Sequence, residues 1–125
     1  MKRVTGIGGI FFRSRDPDAL KKWYVEHLGI PMDDDGFVCF CGKDDEGAKE
    51  AFTVWQPFPE DTDYFDPSEK QFMVNFRVEN LRALLETLRE EGVDVDDRYE
   101  EHEYGKFGWI TDPEGNRVEL WEPGG

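Results

Sequence analysis

Apolar and polar positions along the chain change period several times, and each change marks an element. Residues 4–14 open with Gly6, Gly8 and Gly9 and run into Ile10-Phe11-Phe12-Arg13-Ser14, a first strand with few side chains at its start. Asp16 offers an N-cap and Pro17 fits the first helical position. Leu20, Trp23, Tyr24 and Leu28 then recur at helical spacing until Gly29 closes the helix. Strands are expected near 36–41 and 50–56, joined by the charged stretch Lys43 to Lys49. Residues 57–67, PFPEDTDYFDP, hold three prolines and four acids, the composition of a loop or linker.

After that segment the order starts again. Residues 71–78 alternate as a strand, Asn80 is an N-cap candidate, and Leu81, Leu84, Leu85 and Leu88 mark a helix that Gly92 ends. A short strand at 93–95 precedes a hairpin, Phe107 to Thr111 and Arg117 to Trp121, turned by Asp112-Pro113-Glu114-Gly115-Asn116. Laid side by side, Arg13 matches Arg77 and Asp16 matches Asn80 at an offset of 77 − 13 = 64, while Trp55 matches Trp121 at 121 − 55 = 66. The chain therefore reads as one domain over 1–125 made of two copies of one unit, 4–57 and 70–123.

A sheet with one helix on one face leaves its other face open, so two such units related by a twofold enclose a cleft. Alternation assigns Arg117, Glu119 and Trp121 to the cleft face of the last strand, and the repeat assigns Ala51, Thr53 and Trp55 to it in the first half. Gln71, Met73, Asn75 and Arg77 follow from one first strand, and Ile7, Gly9, Phe11 and Arg13 from the other. Phe107 and Trp109 complete the aromatic set. Glu119 is the odd residue, a carboxylate in mid-strand beside a large aromatic. A buried carboxylate costs several kcal/mol unless it is paired, protonated or bound to a cation. Arg13 or Arg77 is the expected partner, and a raised pKa suited to acid–base work is the alternative.

Charge and composition narrow the function. With 38% apolar residues and ten phenylalanines, a chain of 125 residues can bury a core, and a formal charge of −14 points away from nucleic acid. No apolar run approaches a membrane span, and Met1-Lys2-Arg3 is not followed by a signal-peptide core, so a cytoplasmic protein is expected. Cys39 and Cys41, two apart on one strand, rarely reach disulfide geometry at that spacing without distortion.

The repeat and the ending GWITDPEGNRVELWEP resemble the vicinal oxygen chelate superfamily, which includes glyoxalase I, bleomycin resistance proteins and extradiol dioxygenases. The resemblance implies an α+β fold: two βαβββ modules forming a pseudo-twofold cleft of curved mixed β-sheet, with helices on the outside. It also implies a divalent metal held by strand residues, at positions that fall here on Gly9, Thr53, Met73 and Glu119. Only Glu119 is a hard donor among them. His27 ends the first helix, and His102 lies in an acidic run that leads into the hairpin, where it could reach the cleft mouth.

The expectation is thus a protein that binds a small organic molecule in the cleft, through Phe11, Arg13, Thr53, Trp55, Met73, Asn75, Arg77, Phe107, Trp109 and Trp121, with no cofactor. The alternative is a lyase or ring-cleaving dioxygenase that uses Glu119 as metal ligand or general acid/base, with His102 as a supporting donor. The resemblance also implies a homodimer.

Overall fold

Two side-chain caps set the frame. In the computed structural model, which describes residues 3–41 and 52–124, the Asp16 carboxylate accepts from the Ala19 amide at 3.1 Å and starts α1 (Pro17–Leu28). Gly29 ends that helix with φ 62°, a left-handed conformation that residues with a Cβ rarely adopt. The Asn80 side chain accepts from the Ala83 amide at 3.2 Å and starts α2 (Leu81–Glu90). Both caps stand where the sequence puts them, 80 − 16 = 64 residues apart.

The strands are β1 (Val4–Ser14), β2 (Cys39–Cys41), β3 (Phe52–Pro59), β4 (Phe72–Val78), β5 (Asp94–His102), β6 (Gly105–Thr111) and β7 (Arg117–Pro123). They form one curved mixed sheet in the order β2-β3-β1-β4-β7-β6-β5. In each half the first strand lies parallel to the last, β1 with β3 and β4 with β7, and the two first strands meet antiparallel at the centre. The result is an α+β fold consistent with βαβββ modules. The expected charged stretch Lys43 to Lys49, and Ala51, lie outside the described residues. Among the described residues no helix is long and apolar enough to cross a membrane.

Alternation divides the core in two. On the outer face Leu81, Leu84 and Leu85 of α2 pack on Val78 and Leu120. Each of these buried side chains contributes about 1.5–3 kcal/mol relative to exposure. The first helix is less committed: Trp23 stays 50% exposed, and Tyr24 meets Trp55 with ring centroids 4.7 Å apart. On the inner face a second cluster gathers Phe11, Phe65, Met73 and Trp109.

Phe65 corrects the reading of 57–67 as a linker. The strand β3 runs on to Pro59, and its prolines are tolerated because, beyond the short β2, its far edge is not paired within the described sheet. The segment then folds back over the inner face, where Phe65 is wholly buried. The strand expected at 93–95 is also longer. Its pairing with β6, from Asp94↔Thr111 to His102↔Gly105, supplies backbone bonds that its charged side chains do not announce. The hairpin between β6 and β7 follows its turn chemistry, with Gly115 N donating to Asp112 O at 3.1 Å and Gly115 at φ 84°.

Candidate functional site

One row of paired residues crosses the inner face: Val54 beside Gly9, Gly9 beside Asn75, Asn75 beside Glu119, and Glu119 beside Trp109. Glu119 sits near the middle, 1% exposed. Three separate pieces of chain converge on its carboxylate. The Asn75 amide donates to Oε1 at 2.6 Å, the Trp109 indole N–H donates to Oε2 at 3.0 Å, and the Tyr64 hydroxyl donates to the same Oε2.

Among the described residues no cation bonds this carboxylate, and the expected pairing with Arg13 or Arg77 does not occur. The Arg13 guanidinium donates to the Glu60 and Ser68 carbonyls, both at 3.4 Å, and lies over Phe65. Arg77 donates to the Ile7 and Phe52 carbonyls at 2.7 and 2.8 Å. Arg117 acts instead from behind Trp109. Its guanidinium lies 5.4 Å from the ring centroid and pairs with Asp96 at 2.9 Å, while Arg98 lies 4.5 Å from the same centroid.

Burial pushes the Glu119 carboxyl above the ordinary glutamate range and outweighs the lowering by Tyr64, Asn75, Trp109 and Arg117. The Tyr64 phenol is pushed well above its usual range, by burial first and then by the charge of Glu119. A tyrosine that stays protonated and a carboxyl that resists ionisation thus share one hydrogen bond.

Beside this pair opens a cavity of about 790 Å³, lined among others by Phe11, Phe52, Val54, Gln56, Phe58, Tyr64, Asn75, Phe107, Glu119 and Trp121. Its aromatic wall is ordered. Phe107 stacks on Trp121 with centroids 6.2 Å apart, and Phe52 meets Trp121 edge-on at 5.1 Å. Gly8 also lines it, and a Cβ there would lie 2.2 Å from Asn75 Oδ1 and 2.9 Å from Trp121. Only glycine lets β1 pass so close to the Asn75 side chain.

Of the residues expected in the cleft, Phe11, Asn75, Phe107, Glu119 and Trp121 line this cavity. Met73 and Trp109 are buried with Phe11 and Phe65, and Arg13 and Arg77 are held by backbone carbonyls. Thr53 and Trp55 are not on this face. The Thr53 hydroxyl donates to Ile7 O at 2.9 Å, and Trp55 packs with Phe12 and Tyr24 on the helix side. Their place is taken by Val54, Gln56 and Phe58, one residue out of step. Register explains the shift: Phe11 pairs with Gln56 as Asn75 pairs with Glu119, so Gln56 answers to Glu119 at 119 − 56 = 63, an odd offset. An odd offset puts the other face inward. Gln56 was legible only through that register, and Tyr64 lacked any periodic signal.

A divalent-metal site needs lone pairs at three or more positions. Among the described residues no three His, Cys, Asp or Glu side chains gather closely enough to hold an ion. The groups around Glu119 turn N–H and O–H toward it, so this donor set does not fit a metal. His27 packs against Trp23 on α1, with rings 4.8 Å apart, and His102 bonds Glu100 at 2.8 Å.

The fold recurs in solved structures. Methylmalonyl-CoA epimerase from Mycobacterium tuberculosis is 22% identical, with TM-score 0.68, over 100% of this chain and 92% of that one. A Streptomyces coelicolor methylmalonyl-CoA epimerase variant in complex with 2-nitronate-propionyl-CoA is 17% identical, with TM-score 0.71, over 98% and 99%. A glyoxalase/bleomycin resistance protein/dioxygenase superfamily member from Vibrio splendidus is 15% identical, with TM-score 0.60, over 98% and 99%. A comparison with curated proteins finds no match. The glyoxalase-like domain profile matches residues 9–121, nearly the whole of this sheet and both helices, and the chain belongs to the glyoxalase-like domain family.

Proposed function

We propose that the chain binds a small organic molecule on the inner face of the sheet, its apolar body against Phe107 and Trp121 and its polar end at Tyr64 and Gln56. The cavity of about 790 Å³ that ends on the Tyr64–Glu119 pair carries this reading. Its size and its aromatic lining with a few convergent polar groups are those of a small-molecule site. The Streptomyces coelicolor relative in complex with an acyl-CoA analogue lends support from the same fold. Titration of a library of aromatic metabolites, followed by tryptophan fluorescence, should give saturable quenching. Trp121→Ala should weaken that binding by about tenfold, ~1.4 kcal/mol. A flat response across the library would overturn the proposal.

A second reading is favoured by the hydrogen bond from the Tyr64 hydroxyl to Glu119 at the cavity wall. In its ionised form Glu119 would take a proton from the bound molecule through Tyr64: the ligand proton passes to the phenol oxygen as the phenol proton passes to the carboxylate Oε2. Exchange of ligand protons for deuterium in heavy water, read by NMR, should then depend on both groups. Exchange that survives unchanged in Glu119→Gln would rule this out.

A further inference from the structure

Opposite Trp109 the edge strand loses its register. Pairing runs from Val95↔Ile110 to Tyr99↔Gly108, so three residues of β5, Asp96, Asp97 and Arg98, stand across from Trp109 alone. An irregularity of this kind bends its strand and re-aims a side chain. Here the Arg98 guanidinium lies over the indole, 4.5 Å from the ring centroid. Asp96 holds the arrangement on both sides: its Oδ1 accepts from the Arg98 amide at 2.9 Å, and its Oδ2 accepts from the Arg117 guanidinium at 2.9 Å. Arg117 lies 5.4 Å from the same centroid, so two cations fall within the range at which an indole attracts one.

A buried proton acceptor needs such a field. Burial opposes ionisation of Glu119, and its three hydrogen-bond donors, Tyr64, Asn75 and Trp109, are neutral. A guanidinium bonded straight to Oε2 would stabilise the charge, but it would also compete there with the Tyr64 proton. Trp109 separates the two roles. Its N–H bonds Oε2 while its face meets the cations, and a ring 1% exposed leaves little water to screen what lies between. The field of Arg98 reaches this pair: against the burial that raises the Tyr64 phenol, Arg98 acts to lower it, while Glu100 adds to the rise. Opposing charges stand close on β5. Asp96 offsets Arg117 at 2.9 Å, and Glu100 faces both Arg98 at 3.3 Å and His102 at 2.8 Å.

We infer that Arg98 is a positioning residue for acid–base work at Glu119: through the face of Trp109 it favours the ionised carboxylate that accepts a proton. The inference rests on the second reading above, but it is tested in the ligand-free protein, so the failure of one is distinguishable from the failure of the other.

Carbon-13 NMR of the glutamate carboxyl groups follows Glu119 directly, with Glu119→Gln identifying the signal that disappears. Arg98→Met keeps an unbranched chain beside the ring and removes the charge. It should lower the ionisation constant of Glu119 by about threefold, seen as a titration moved to higher pH. Arg98→Lys, still a cation, should titrate close to the wild type. Glu100→Gln removes an opposing charge and should move the titration to lower pH. An Arg98→Met protein that titrates like the wild type overturns the inference. So does an Arg98→Lys protein displaced as far as Arg98→Met, which assigns the effect to shape, or a Glu100→Gln protein displaced in the same direction. If the titrations move as expected while ligand exchange survives in Glu119→Gln, the second reading falls and the hold of Arg98 on the carboxyl stands.

Discussion

Trp109→Ala should lower the stability of the fold by about 3–5 kcal/mol, read as a fall in the urea midpoint. The ring is 1% exposed and packs with Phe11, Phe65 and Met73, so its removal opens a cavity at the centre of the inner face. Two further losses add to the missing volume. Glu119 Oε2 loses the indole donor at 3.0 Å, and the guanidinium groups of Arg98 and Arg117 lose the ring that both lie over. Trp109→Phe separates these effects, because it keeps most of the volume and removes the donor, and it should cost about 1–3 kcal/mol. An unchanged midpoint in Trp109→Ala would mean that the inner face is held together by other groups.

Glu119→Gln should change how stability depends on pH. Burial sets the folded-state pKa of this carboxyl above its unfolded value, so the folded chain binds the proton more tightly than the unfolded chain. Its contribution is therefore full below the unfolded glutamate value, about pH 4.3, and is lost as pH rises through the folded value. Glutamine carries no such proton. Relative to the variant, the wild type should lose up to about 1.4 kcal/mol per pH unit inside that window. Asp96 and Asp112, held below the usual carboxylate range by their hydrogen bonds, give a slope of the opposite sign. That slope is common to both proteins and cancels in the difference. A difference that stays constant from pH about 4 to about 8 would place Glu119 among ordinary glutamates.

Local chemistry made much of this fold legible. Asp16, Asn80 and Gly29 mark helix ends through bonds and conformations that involve only their near neighbours, and the structure places the caps at those residues. Alternation in β4 and β7 put Met73, Asn75, Glu119 and Trp121 on one face because each strand carries its own period of two. What the sequence hid depends on contacts between distant pieces. Tyr64 reaches Glu119 from a segment whose prolines and acids mask its two aromatic residues. Trp55 invites alignment with Trp121, yet pairing places it beside Ile10 while Trp121 lies beside Arg77. Similar residues near similar strand ends do not guarantee equal register, and one residue of slip exchanges the two faces. The bulge between Ile7 and Gly9 adds a second slip in β1, which brings Gly8 to the cavity.

The indole bond from Trp109 to Glu119 also makes this molecule its own gauge. An excited indole responds to charge in its immediate surroundings, and this one has a carboxyl group at its N–H and two guanidinium groups over its ring. Any event that moves a proton onto or off Glu119 alters the local field, whether a change of acidity or an arriving guest that disturbs Tyr64. The emission colour of a ring sealed from solvent would then follow chemistry in the chamber above it, with no dye or label attached.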